Sequence, residues 1–207
     1  MRFLFIAGIA GFVAYSALTG KAPSFGGFTG GGGYVVYSTP VSIDTPPKQS
    51  KTNQEEFNFK GYTLKPLANF DITARVLSRK YYSSGKEAEL SPVDLALGWG
   101  PMSQDSVING INISQRGRWY FWETMSFPIT REEIQTNSAN MHIIHANETV
   151  AKKLQQVKRG HVIKIKGYLV ECRQDHWKWR SSMSRKDTGN GACEIVYVED
   201  FRIKKVN

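Results

Sequence analysis

The chain has little of what metal binding and hydrolysis usually draw on. Its 207 residues include two cysteines and four histidines. Cys172 and Cys193 are too far apart to supply the close ligand pairs that structural zinc takes, so no metal site is expected. There is no Gly-x-Ser-x-Gly elbow to present a serine nucleophile, and no internal repeat that would build a solenoid. Nothing points to a bound cofactor, and none is expected. Acids are also scarce, with 18 Asp+Glu against 27 Lys+Arg, for a net charge of +9.

Charge itself is absent from residues 3–20, a run bounded by Arg2 and Lys21. Crossing a hydrocarbon layer takes about 20 apolar helical residues, with a range of about 17–25. Residues 1–21 are therefore read as a transmembrane anchor. The rival is a cleaved signal, for which Ala14-Tyr15-Ser16 offers a small-x-small site. Both readings carry the rest of the chain across the cytoplasmic membrane, with the amino terminus inside.

Residues 22–56 combine a Gly-rich stretch with a polar, Pro-bearing one and show no periodicity, as a flexible linker does. The apolar patch Tyr34-Val-Val-Tyr37 is the one interruption. Residues 57–207 have the size of a single domain with one core. Phe57–Leu64 and Phe70–Leu77 alternate as half-buried strands. Ser91-Pro92-Val93-Asp94 reads as a helix start ended by Gly98. Arg116–Glu123 reads as an aromatic strand. Thr130-Arg-Glu-Glu133 is a capping box, and Asn147 caps a helix bearing Val150, Leu154 and Val157.

Val162–Cys172 places Ile163 and Ile165 on one face and Lys164 and Lys166 on the other, and Gly167 breaks the pattern as a bend would. Residues 193–203 alternate, with Ile195, Tyr197, Phe201 and Ile203 on one side. A long bent strand, a hairpin and a closing strand resemble part of a small Greek-key barrel of the oligomer-binding type. The expected fold class is thus α+β, mostly β: a small barrel-like antiparallel sheet with two or three short helices, preceded by one transmembrane helix. The resemblance implies no function by itself.

Cys172 and Cys193 end two strands that flank a polar loop. In an oxidising compartment a disulfide closing that loop is expected, with a gain of about 3 kcal/mol in the chain-entropy model. The positive charge is concentrated behind residue 149. Residues 150–207 hold 14 Lys+Arg and 6 Asp+Glu, whereas residues 21–149 hold 12 of each. Lys164, Lys166, Lys178, Arg180 and Arg185 are the candidate binding cations for a lipid headgroup, an envelope polymer or an acidic protein. Trp177-Lys-Trp-Arg180 interleaves rings and cations, as single-strand binders do. Alternation, however, turns both rings to one face, as a strand packed on a core would.

Three residues are candidates for hydrolysis by type alone: His145, Ser182 and Asp187. His142 and His145 could share a metal only on a helix. Asp187-Thr-Gly189 resembles the Asp-Thr-Gly triplet of aspartic proteases, but those enzymes need two such aspartates face to face, and no second triplet occurs. The favoured expectation is a non-catalytic, membrane-anchored, extracytoplasmic binding or assembly module. A hydrolase with a site near His145 and the Ser181–Asp187 loop is the first alternative. A nucleic-acid-binding barrel, which requires a cytosolic domain, is the second. A topology reporter fused after Asn207 is expected to be active only on the extracytoplasmic side, and activity in the cytosol would overturn the anchored reading.

Overall fold

The computed structural model describes residues 34, 35, 37–184 and 192–204. The expected membrane segment, the Gly-rich stretch, Arg185 and Asp187 lie outside them. Among the described residues no helix is long and apolar enough to cross a membrane.

The elements are β1 (Lys48–Ser50), β2 (Phe57–Phe59), β3 (Tyr62–Tyr81), α1 (Lys86–Leu90), β4 (Val93–Gly98), a 3-10 turn (Pro101–Ser103), α2 (Asp105–Ile108), β5 (Asn112–Arg116), β6 (Trp119–Glu123), α3 (Arg131–Thr136), β7 (Ser138–His145), α4 (Glu148–Gln155), β8 (Val162–Gln174), β9 (Trp177–Arg180) and β10 (Glu194–Ile203). The class is α+β and mostly β, with four short α-helices among the described residues. Five strands close into a ring in the order β3-β4-β7-β10-β8 and back to β3. The ring is not purely antiparallel, as the sequence suggested, because β10 runs parallel to β7. The connection from β7 through α4 and β8 brings the chain back to enter β10 in the same direction as β7.

Twenty residues of β3 make closure possible. Its length lets it pair with β8 from Thr63 to Arg75 and with β4 from Arg75 to Tyr81. Register shifts at Pro66/Ala68 and Val76/Ser78 bend it around the ring, as bulges do. Gly167 is the matching device on β8. A Cβ there would collide with the backbone carbonyl of Tyr197 on β10, so only glycine lets the two strands approach so closely.

The interior is filled by alternate residues: Phe70, Ile72, Ala74 and Val76 from β3, Leu95 and Leu97 from β4, Met141 and Ile143 from β7, Ile163, Ile165 and Leu169 from β8, and Val196, Val198 and Phe201 from β10. Val150 and Leu154 of α4 pack against this core. Both sequence-read caps form: Thr130 and Glu133 close a capping box on α3, and Asn147 accepts from the Val150 amide at 3.0 Å. In β10 the inward side changes partway. Ile195 and Tyr197 belong to an outer cluster, whereas Val196, Val198 and Phe201 face the interior. The alternation read over residues 193–203 is therefore interrupted, by a bulge between Val198 and Asp200.

Three segments depart further from the sequence reading. Val93–Gly98 is a strand, not a helix. Val93, Leu95 and Leu97 face the ring interior while Ala96 packs in a second cluster outside it. Burial of both faces hides the strand period. The aromatic strand read over Arg116–Glu123 is the shorter β6, Trp119–Glu123, and it pairs with β5 in a hairpin. Part of the expected linker is docked: Val41 and Ile43 are buried in the main core, Tyr37 packs against it, and β1 pairs with β3. The fully buried Arg75 anchors this strap. It bonds Asp105 Oδ1 at 2.7 Å, the Ser103 carbonyl at 3.0 Å and the Tyr34 hydroxyl at 3.1 Å.

Gly167→Ala is expected to cost about 3 kcal/mol, because the backbone of β8 or β10 must move. Gly110→Ala, whose Cβ would meet only ordinary contacts, is expected to change stability by less than about 0.5 kcal/mol. Urea midpoints of the two variants check the contrast.

Candidate functional site

The cations singled out in the sequence divide into two groups. Lys164 and Lys166 stand on the outer wall of β8, both beside Asp71 at 3.3 and 3.7 Å. Strand pairing sets them next to Asp71 and Thr73 on one side and next to Asp200 and Arg202 on the other. A groove of about 560 Å³ runs along this wall, lined by the strap residues 40–46 and by Lys48, Asp71, Thr73, Val162, Lys164 and Lys204. Lys178 and Arg180 sit on β9 and converge on Glu171, at 3.2 and 2.6 Å. Burial works against the Glu171 carboxylate, but the bonds from Arg180 and Lys178 outweigh it and hold its pKa below the ordinary value. Arg180 pairs with Glu171, seven residues along β8 from Lys164. Lys166 is five residues from Glu171, and the bend of β8 lies between them. Arg185 lies outside the described residues.

Of the hydrolase candidates, His145 and Ser182 are not brought together. His145 ends β7 opposite Val198, and the Ser182 amide bonds the Cys193 carbonyl before β10 begins. Five residues of β10 separate those points, roughly 16 Å. The His145 pKa is lowered by burial and by Lys60. Asp187 lies outside the described residues. On the strand β7, His142 and His145 point to opposite faces. Among the described residues no group of three or more acidic, His or Cys side chains could hold a metal ion.

The expected disulfide is not formed, and both cysteines are free thiols. The reason is the bend of β8. Past Leu169 the strand turns Val170 and Cys172 into a third cluster with Tyr62, Leu64, Leu90, Ile144 and Ile195. There burial and the Glu171 charge push the Cys172 thiol up to about 12. Trp177 and Trp179 pack against the same cluster, so the rings of β9 face inward while Lys178 and Arg180 face out.

Cys193 has other neighbours, which sequence reasoning missed. On the outer face of β4 and β7 lie Asp94, 0% exposed, and His142, 3% exposed. His142 Nδ1 bonds Asp94 Oδ1 at 2.9 Å. A carboxylate only accepts, so Nδ1 carries the proton. Arg118, in the turn between β5 and β6, donates through Nη1 to the same oxygen and to the Ser91 carbonyl, each at 2.8 Å. Its guanidinium lies 3.9 Å over the Tyr82 ring. Burial, then the charge of Asp94, raise the Tyr82 phenol. The Cys193 thiol lies 4.0 Å from the Arg118 carbonyl. The Trp179 ring covers His142 at 4.8 Å between centroids.

Burial pulls the His142 pKa down. The bond to Asp94, the contact with Cys193 and the charge of both outweigh it, so the pKa is pushed up to about 9. The arrangement can hold a protonated imidazole beside a buried carboxylate. The local signals in the sequence were ambiguous: Asp94 read as a first-turn acid and His142 as half of a metal pair.

No family model matches this chain, and neither a curated protein nor a solved structure matches it.

Because the folded pKa of His142 exceeds its ordinary value, its contribution to stability is fully present below pH about 6.5 and is lost as pH rises through about 9. The wild type is expected to lose on the order of 2–3 kcal/mol across that window, and His142→Gln is expected to lose markedly less. Urea midpoints at the two ends of the window measure the difference.

Proposed function

We propose that the chain is a membrane-tethered binding module whose barrel offers a basic wall to an anionic partner outside the cytoplasm. The observation that carries this reading is the row on the outer face of β8. Lys164 and Lys166 share one carboxylate, Asp71, and Lys48 and Lys204 line the groove beside them. The groove lining sets Lys48, Lys164 and Lys204 against Asp44 and Asp71, an excess of one positive charge at a concave surface that attracts anions. The uncharged run over residues 3–20 supports the tether.

The strand order supports a barrel of the oligomer-binding type. Numbering β3, β4, β7, β8 and β10 as one to five, the ring reads 1-2-3-5-4. Strands three and five are parallel, and α4 lies between three and four. Such barrels bind ligands on a strand face and its flanking loops, although fold alone does not decide function. The inward packing of Trp177 and Trp179 removes these two rings as a stacking platform for a single nucleic-acid strand.

Residues 34–207 contain all three apolar clusters and can be tested without the tether. They are expected to bind anionic-lipid vesicles or a soluble anionic polymer at about 50 mM salt and to release them at about 500 mM. Lys164→Glu with Lys166→Glu is expected to weaken binding at least tenfold. Binding that is absent, or indifferent to salt and to these substitutions, would end the proposal.

A further inference from the structure

We propose that the outer face of the β5–β6 hairpin, with the loop that follows it, docks on the lipid headgroup layer of the membrane to which the chain is tethered. Large apolar side chains are exposed here more densely than anywhere else among the described residues. Trp119, Phe121, Met125 and Phe127 are 38%, 42%, 68% and 52% exposed. The other exposed large apolar residues, Tyr34, Tyr81 and Met183, are scattered through the chain. Single exposed apolar residues are ordinary, whereas a grouped set marks a surface that meets a partner or a membrane.

Alternation along β6 explains the grouping. Tyr120 and Trp122 pack with Ile108, Ile111 and Ile113 in the cluster behind the hairpin. That commits Trp119 and Phe121 to the opposite, outward face. The hairpin is held from behind by the Arg118 bonds to Asp94 and the Ser91 carbonyl, so its rings are presented outward on a fixed frame. Thr124 Oγ1 donates to the Gly110 carbonyl at 2.8 Å and steadies the loop that carries Met125 and Phe127.

Charge favours lipid over a second copy of this chain. Arg116 pairs with Trp119 across the hairpin and lies 5.7 Å from the Phe121 ring centroid. Arg131 lies 5.9 Å from the Trp122 ring centroid. Among the described residues neither guanidinium pairs with a carboxylate, and Glu123 is the only acid on β6. Rings beside free guanidiniums suit the bilayer interface, where the rings enter the acyl boundary and the cations meet phosphate. Two copies of the face would instead bring like charges into one interface.

The chain also enters the barrel next to this hairpin, a point that rests on the proposed tether. Tyr34 bonds Asp105 at 2.9 Å, and Asp105 opens α2, whose Val107 and Ile108 belong to the hairpin's own cluster. Residues 21–33 separate Tyr34 from the uncharged run, no more than about 50 Å of extended chain. Confined so close to a bilayer, the hairpin needs little intrinsic affinity to stay docked. The basic wall of β8 lies across the ring and faces away from the docked surface.

The test reconstitutes the full chain into phosphatidylcholine vesicles whose lipids are brominated near the headgroup end of the acyl chains. Salt at about 500 mM screens the basic wall. Bromine quenches tryptophan on contact, and no tryptophan precedes Trp99, so the tether contributes no signal. Quenching is expected in the wild type, reduced about threefold in Trp119→Ser with Phe121→Ser and unchanged in Lys164→Glu with Lys166→Glu. A chain that floats with the vesicles without quenching, or whose quenching survives the loss of Trp119 and Phe121, would overturn the docking and leave the tether standing. A chain left in the soluble fraction would overturn the tether, and the docking with it. An oligomer that the same two substitutions dissociate would assign the face to a second copy and overturn the lipid assignment.

Discussion

A carboxylate with no solvent exposure must be neutralised where it stands, and Asp94 is such a group on the outer face of β4. Removing an ion from water costs several kcal/mol unless partners with good geometry replace the water. Two cations answer that demand, from different parts of the chain. Arg118 brings the tip of the β5–β6 hairpin onto β4 and also bonds the Ser91 carbonyl. His142 comes from the neighbouring strand β7. Around this pair the outer layer is assembled: Gln115 bonds Asn140, Tyr120 bonds Ser138, and Trp179 covers the imidazole. The side chain that holds the hairpin in place thus also fixes the carboxylate that sets the charge state of His142.

The ring determines which surfaces remain for partners. The outer sides of β4 and β7 are covered by the hairpin, α2 and α3, with Ile108, Ile111, Ile113 and Ile134 filling the space. The outer side of the first half of β8 carries lysines. Closure through the long strand β3 places these two faces on opposite walls. The bend after Leu169 makes the division sharper, because it sends Glu171, Lys178 and Arg180 away from Lys164 and Lys166.

Much of the fold was legible in the sequence, because its signals were local. The capping box at Thr130, the Asn147 cap, the alternation in Val162–Ile165 and the bend at Gly167 each depend on neighbours in the chain. The misreadings share a different cause. Val93–Gly98 is buried on both faces, so its period is hidden, and Ser91-Pro92 imitates a helix start. Cys172 and Cys193 end adjacent strands, as a disulfide would need, but the twist after Leu169 turns Cys172 into a cluster that Cys193 does not enter. Val41 and Ile43 lie in a segment with a linker's composition, yet the barrel provides the apolar surface they need. The Asp94–His142–Arg118 cluster draws on β4, β7 and the β5–β6 turn. Nothing in the spacing of those residues indicates that the β4–β7 pairing and the hairpin bring them together.

The charge state of His142 is the point on which these relationships converge. Nuclear magnetic resonance of the ring nitrogens of His142, followed through a pH titration of the folded chain, reads it directly. An imidazolium that persists through neutral pH and titrates near the raised value of about 9 is the expected result, with the midpoint falling when Asp94 is replaced by asparagine. A ring that is neutral at pH 7, with a midpoint at or below the ordinary histidine value of about 6.5, would contradict the account.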